Sequence, residues 1–140
     1  MEWVVKIGGS LFPDHAAVLL EKLRGEESVV ICGGGDFADM VRHHDERKGF
    51  SASATHEAAI LCMDITGRLL SDLVDSSRTV RTLQECRNAI DDGFTPVLLP
   101  AQLLRYTDPA EHSWRVTSDS LSLAVAHMLG AKLLIATDVD

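Results

Sequence analysis

The chain has 140 residues, 46% of them hydrophobic and 24% charged, enough length and apolar content to bury a core. Its formal net charge of −8 argues against a general binder of nucleic acid or of anionic membrane, since both need a basic surface to offset phosphate. That balance leaves room for a local positive site that takes a small phosphorylated ligand.

Residues 2–8 read as a buried strand that ends in Gly8-Gly9-Ser10. His15 to Leu23 carries Ala16, Leu19, Leu20 and Leu23 at helical spacing, with Asp14 as the expected N-cap. Ser28 to Cys32 (SVVIC) is a second short strand, followed by Gly33-Gly34-Gly35 and a helix from Asp36 that Gly49 ends. A long helix spans about Ser53 to Leu73, with Ala59, Ile60, Met63, Leu69, Leu70 and Leu73 as its expected apolar side and Gly67 as a weak point. A shorter helix runs from about Thr82 to Ile90, and Pro96 to Leu99 (PVLL) is a strand. Arg105 to Val116 is polar and irregular. SDSLSLAVAHMLG forms another helix, with Leu121, Ala124, Val125, Met128 and Leu129 on one face, and KLLIATDVD runs from a strand into an acidic loop.

Buried strands alternating with amphipathic helices predict an α/β fold whose mostly parallel sheet is covered on both faces. Ligands in such sheets bind beyond the carboxyl ends of the strands. The unusual stretches KIGGS, CGGGD and TDVD all fall there.

Lys6 is the odd residue in the first strand. Lysine is rarely fully buried unless paired, yet at a strand end its ammonium can reach into a crevice. The two glycine stretches each follow a strand and precede a helix, an arrangement whose backbone N–H groups cradle anions. Together with Lys6 they predict a phosphate site. Neither is a GxxxxGK[ST] loop, and CGGGDFAD lacks the GxGxxG order of a dinucleotide fold. Ser118-Asp119-Ser120 suits a helix start on local grounds alone. Asp119 in that position also suits a partner for the Lys6 ammonium.

His43 and His44 sit in the polar run HHDERK and are expected on a solvated face. His56, just before Glu57, is expected on a helix surface, with a metal or acid–base pair as the alternative. His112, just before the SDS segment, is within reach of the same crevice. No spacing of metal ligands is recognisable. Cys32, Cys62 and Cys86 are odd in number and lack CxxC spacing, which predicts reduced thiols in a cytoplasmic protein. The chain's start lacks a signal-peptide pattern, and no apolar run approaches the ~18 residues of a membrane span.

VVKIGGSL, VVICGGGDFADMVR, TSDSLSLAVAHMLGA and LLIATDVD, in that order, resemble the motifs of the amino acid kinase superfamily. Within it, HEAAILCMDITGRLLSDL and EHSWRVTSDSLSLAVA are similar to the kinases of methanofuran biosynthesis, which convert an (aminomethyl)furanmethyl phosphate to its diphosphate. The resemblance implies a three-layer α/β/α sandwich, transfer of a phosphoryl group from ATP with Mg²⁺, and a homo-oligomer acting on a small phosphate ester. It implies that Lys6 stabilises the transferring group and that Asp119 organises the active-site lysines. Gly8, Gly9 and Ser10, with Thr137, Asp138 and Asp140, take the nucleotide. Gly33, Gly34 and Gly35 line the acceptor side, with Ser118 and His112 beside them and Met63 and Trp114 as further pocket residues. Family members continue past TDVD into a portion that holds adenine and usually supplies a second lysine. Lys132, which begins a strand, is a poor substitute, and the 140 residues read as one domain, the acceptor-binding portion of the fold, and as a fragment. The alternatives are a uridylate or isopentenyl phosphate kinase, or a truncated module that binds a phosphate ester without turning it over.

Overall fold

The computed structural model describes residues 2–107 and 118–137. Five strands, β1 (Trp3–Ile7), β2 (Ser28–Cys32), β3 (Ser77–Val80), β4 (Thr95–Leu98) and β5 (Lys132–Ala136), form one sheet in the order β3-β4-β2-β1-β5. Every pairing is parallel, with Trp3 opposite both Ser28 and Lys132 and Ile7 opposite both Cys32 and Ala136. All five carboxyl ends therefore lie along one edge. β2 is buried over its whole length, as a central strand covered on both faces must be.

Among the described residues six helices flank the sheet: α1 (Asp14–Lys22), α2 (Gly35–Lys48), α3 (Ala52–Asp72), α4 (Leu83–Asp91), α5 (Ala101–Thr107) and α6 (Ser118–Leu129). Two apolar cores result. One gathers Val4, Val29, Ile31, Ile60, Met63, Leu98, Leu121 and Val125; the other gathers Val5, Ile7, Leu20, Val30, Leu70 and Val97. The alternation of β1 sorts Val4 and Val5 to opposite faces and sends Lys6 to the face of Val4, under α6. This is the expected α/β/α arrangement. Among the described residues no helix is long and apolar enough to cross a membrane.

Several local expectations are corrected. Asp14 is the first residue of α1, not its N-cap; Pro13 precedes it and no side chain caps the helix. Strand β4 starts at Thr95, one residue early. Arg105 belongs to α5, whose first turn is tied down by the Ala101 amide donating to the Asp64 carboxylate at 3.0 Å. Burial raises the Asp64 carboxyl above its ordinary range, and this bond partly opposes the rise. On α3, Leu69 and Leu73 face outward while Ile60, Met63 and Leu70 enter the cores. Gly67 lets α3 pack closely on β4, since a Cβ there would stand 2.9 Å from Leu99 Cδ2 and push that side chain aside. Gly49 does end α2, in the left-handed conformation at φ 77°.

Candidate active site

The site begins where β1 leaves the sheet. After Ile7 the chain makes a short 3-10 turn, Gly9–Leu11, and β2 passes directly through Gly33 and Gly34 into α2. The amide of Gly33 donates to Ile7 O at 2.9 Å and that of Gly8 to Ala136 O at 2.8 Å, so the ends of the neighbouring strands β2, β1 and β5 are laced together. The two glycine loops touch. A Cβ on Gly9 would run into the Cα and backbone nitrogen of Gly35, which itself takes φ +55°. The Phe12 and Phe37 rings, 6.4 Å apart and edge to face, join the first loop to α2. The Thr66 hydroxyl lies 3.0 Å from Cys62 O and 3.3 Å from Gly34 O, tying the second loop to α3.

Lys6 extends from β1 beneath this junction, with its side chain only 9% exposed. Its ammonium meets the Asp119 carboxylate at 2.7 Å, from the first turn of α6. A buried lysine is thus held by a carboxylate that is itself half open, at 51% exposure. Gly33 marks the focus of the site. A Cβ there would stand 3.0 Å from the Gly9 backbone nitrogen and 3.4 Å from both Lys6 Nζ and Ser118 Oγ. The bare glycine leaves that position open to a ligand, with an ammonium, a backbone nitrogen and a hydroxyl around it. This is the chemistry of an anion cradle.

A cleft of about 360 Å³ opens from this point, between α2, α3 and α6. Gly9, Ser10, Gly33, Gly34, Gly35 and Ser118 form its inner end. Asp36, Asp39 and Arg42 of α2 line one wall; Ala59, Ile60 and Met63 of α3, with Leu121 of α6, line an apolar one, and His56 also borders the space. Sequence reasoning picked out the inner end and Met63. It missed Asp36, Asp39 and Arg42, and it assigned His56 to a solvated surface. His43 and His44 are on the solvated face expected of them.

Gly8 and Thr137 stand at the β1–β5 side, where a Cβ on Gly8 would come 3.4 Å from Thr137 Oγ1. His112, Trp114, Asp138 and Asp140 lie outside the described residues. Lys132 is at the other end of the sheet, its ammonium 5.5 Å from the Trp3 ring centre. Cys32 ends β2 beside the site, but burial pushes its thiol up to about 12 despite the nearby Lys6 charge, so it offers no thiolate nucleophile. All three cysteines are buried and free.

A family model described as "Amino acid kinase family" matches residues 1–140. The chain belongs to the amino acid kinase family. A [5-(aminomethyl)furan-3-yl]methyl phosphate kinase from Methanocaldococcus jannaschii is 41% identical over 144 residues, covering 98% of this chain and 66% of that protein. Among solved structures, uridylate kinase from Archaeoglobus fulgidus superposes with a TM-score of 0.70 at 18% identity, covering 100% of this chain and 65% of its own. Aspartate kinase from Synechocystis gives 0.71 at 16% identity, covering 99% and 28%. The two structures show the shared fold of the family. The chain spans just under two thirds of the length of the Methanocaldococcus jannaschii relative and of the uridylate kinase.

Proposed function

We propose that this chain is the acceptor-binding portion, a single domain, of a small-molecule kinase that moves a phosphoryl group from ATP to a phosphate monoester. The observation that carries the reading is Lys6 Nζ, held at 2.7 Å by Asp119 beside the open position at Gly33. In-line phosphoryl transfer needs positioning and charge neutralisation more than covalent chemistry. Asp119 orients the Lys6 ammonium toward the glycine loops, and Lys6 neutralises charge on the equatorial oxygens of the group in flight. The amides of Gly9, Gly34 and Gly35 suit the phosphates on either side, that of Gly33 being taken up by Ile7 O. We assign Gly8, Ser10 and Thr137 to the nucleotide, with Gly8 and Thr137 meeting at the β5 side, and Ser118 to the acceptor. Mg²⁺ arriving with ATP supplies further neutralisation of the phosphate oxygens. The acceptor's ionised phosphate oxygen forms the new P–O bond while the bond to the leaving diphosphate breaks and that group keeps the electron pair. No catalytic base is needed.

The acceptor class follows from the 41% identical relative, whose name specifies an aminomethyl furan carrying a methyl phosphate. The test is incubation of the whole native protein with MgATP and a panel of phosphate monoesters, read by ³¹P NMR. A diphosphate formed from the furanmethyl phosphate in preference to UMP and isopentenyl phosphate is expected. Saturable ester binding without transfer sinks the kinase reading in favour of a binding module. The three buried free thiols fit a reducing cytoplasmic setting.

The same proposal includes a homodimer. Leu61, Ile65 and Leu69 on α3 and Leu73 at its C-cap recur every fourth residue with exposures of 47, 43, 46 and 57%, a continuous aliphatic stripe. Paired with its own copy across a two-fold axis, such a stripe is self-complementary. Ile65→Asp is expected to convert dimer to monomer in sedimentation experiments; an unchanged mass would remove this face from the interface.

A further inference from the structure

We propose that Asp36 and Asp39 form the ammonium-recognition wall of the cleft, selecting acceptors that carry a primary amine one small ring away from the phosphate. The proposal rests on the phosphate-ester reading of the same site.

The cleft is sorted by charge. Its inner end presents the glycine amides, Ser118 and the Lys6 ammonium beneath, all of which suit an anion. Ile60, Met63 and Leu121 make an apolar side against which a ring can lie. On the α2 side the first charged groups reached from the glycine loop are both carboxylates.

Local structure explains only one of them. Asp36 lies in the first turn of α2, where the helix dipole favours an acid whatever the function. That preference fades beyond the first turn, so it does not account for Asp39. Three residues apart, the two side chains share one helix face, and two like charges there cost a little stability. Among the described residues neither takes part in an ion pair or hydrogen bond. Arg42 bounds this acidic stretch one turn further along the same wall. Two carboxylates with no ion pair or side-chain hydrogen bond of their own, on the wall of a cleft whose inner end takes an anion, describe a receptor for a ligand with charges of both signs.

Distance fits as well. Asp39 is four residues beyond Gly35, about 6 Å along the axis at ~1.5 Å per residue. A five-membered ring with a methylene on either side bridges such a gap between phosphate and ammonium. A greasy neutral tail would instead strip water from both carboxylates without replacing it, which is unfavourable.

The experiment compares [5-(aminomethyl)furan-3-yl]methyl phosphate with furan-3-ylmethyl phosphate, using the whole native protein. A charged hydrogen bond of this kind is worth roughly 10- to 100-fold. The unmodified enzyme is expected to prefer the amine by about that factor in kcat/KM, and Asp39→Asn to collapse the ratio toward one, with Asp36→Asn acting in the same direction. Asp39→Lys is expected to shift preference toward the ester bearing a carboxymethyl group in place of the amine. Equal use of both furan esters by the unmodified enzyme overturns the recognition wall while leaving the kinase standing. So does a preference that persists in the Asp36→Asn/Asp39→Asn double variant. Neither binding nor transfer with either ester overturns both readings together.

Discussion

Lys6→Met in the whole native protein is expected to lower kcat/KM by on the order of a thousandfold or more, with the thermal midpoint unchanged or raised. Removing a single preorganised charge from a phosphoryl-transfer site has effects of this size. The stability side follows from the asymmetry of the ion pair. Methionine fills the same channel under α6, and the carboxylate it abandons is half open to water, so little desolvation is left uncompensated. Asp119→Asn is the informative contrast. It leaves an ammonium that is nine-tenths buried without its counter-charge, and it should both slow transfer and destabilise the fold. An exposed pair is worth about 1 kcal/mol or less and breaking a fully buried one costs about 3–5; this half-open pair belongs between. Calorimetry on both variants beside turnover separates the two roles. Near-normal turnover in Lys6→Met would remove the lysine from the chemistry.

Gly9→Ala is expected to cost at least tenfold in turnover, by forcing the two glycine loops apart. The added methyl would collide with the Cα and nitrogen of Gly35, backbone atoms that no rotamer change can move aside. Spreading that contact displaces the Gly9 nitrogen from its place beside Gly33 and Lys6. Gly25→Ala provides the control, since Gly25 has φ +82° but nothing within 4 Å of a new Cβ. It should lose on the order of 1 kcal/mol through backbone strain alone and keep its activity. Thermal shift with added phosphate ester distinguishes the cases: Gly25→Ala keeps the ligand-induced rise, and Gly9→Ala loses it. A retained rise in Gly9→Ala would mean that the loop contact does not shape the anion site.

How far the sequence could be read depends on how local the signal is. β1, β2 and β5 are runs of apolar residues ending at recognisable loops, and α2 and α6 stop at Gly49 and Gly130, both with positive φ. The meeting of Lys6 with Asp119 was legible because each stands at the ligand-facing end of its element. β3 was not legible. It is a four-residue edge strand, SRTV, in which only Val80 is buried, so it carries neither an apolar run nor a clear alternation. The outward turn of Leu69 and Leu73 was equally hidden, because helical periodicity gives the existence of an apolar side and not its partner. The same holds for Asp36, Asp39, Arg42 and His56: which face of α2 and α3 borders the cleft is decided by how the two helices pack, and their polar residues look solvated in sequence alone.

The strand order has a consequence for the chain as it is made. β1 acquires β2 within the first 32 residues, but its other edge waits for β5, which starts at Lys132. At translation rates of about 5–20 residues per second, that edge emerges roughly 6–25 s before its partner. Throughout this interval an apolar strand with unpaired amides is open to foreign strands. The Lys6–Asp119 pair waits almost as long, since Asp119 precedes Lys132 by only 13 residues. A nascent polypeptide therefore holds its adhesive edge and its unassembled anion site over nearly the same window, and the docking of α6 and β5 closes both.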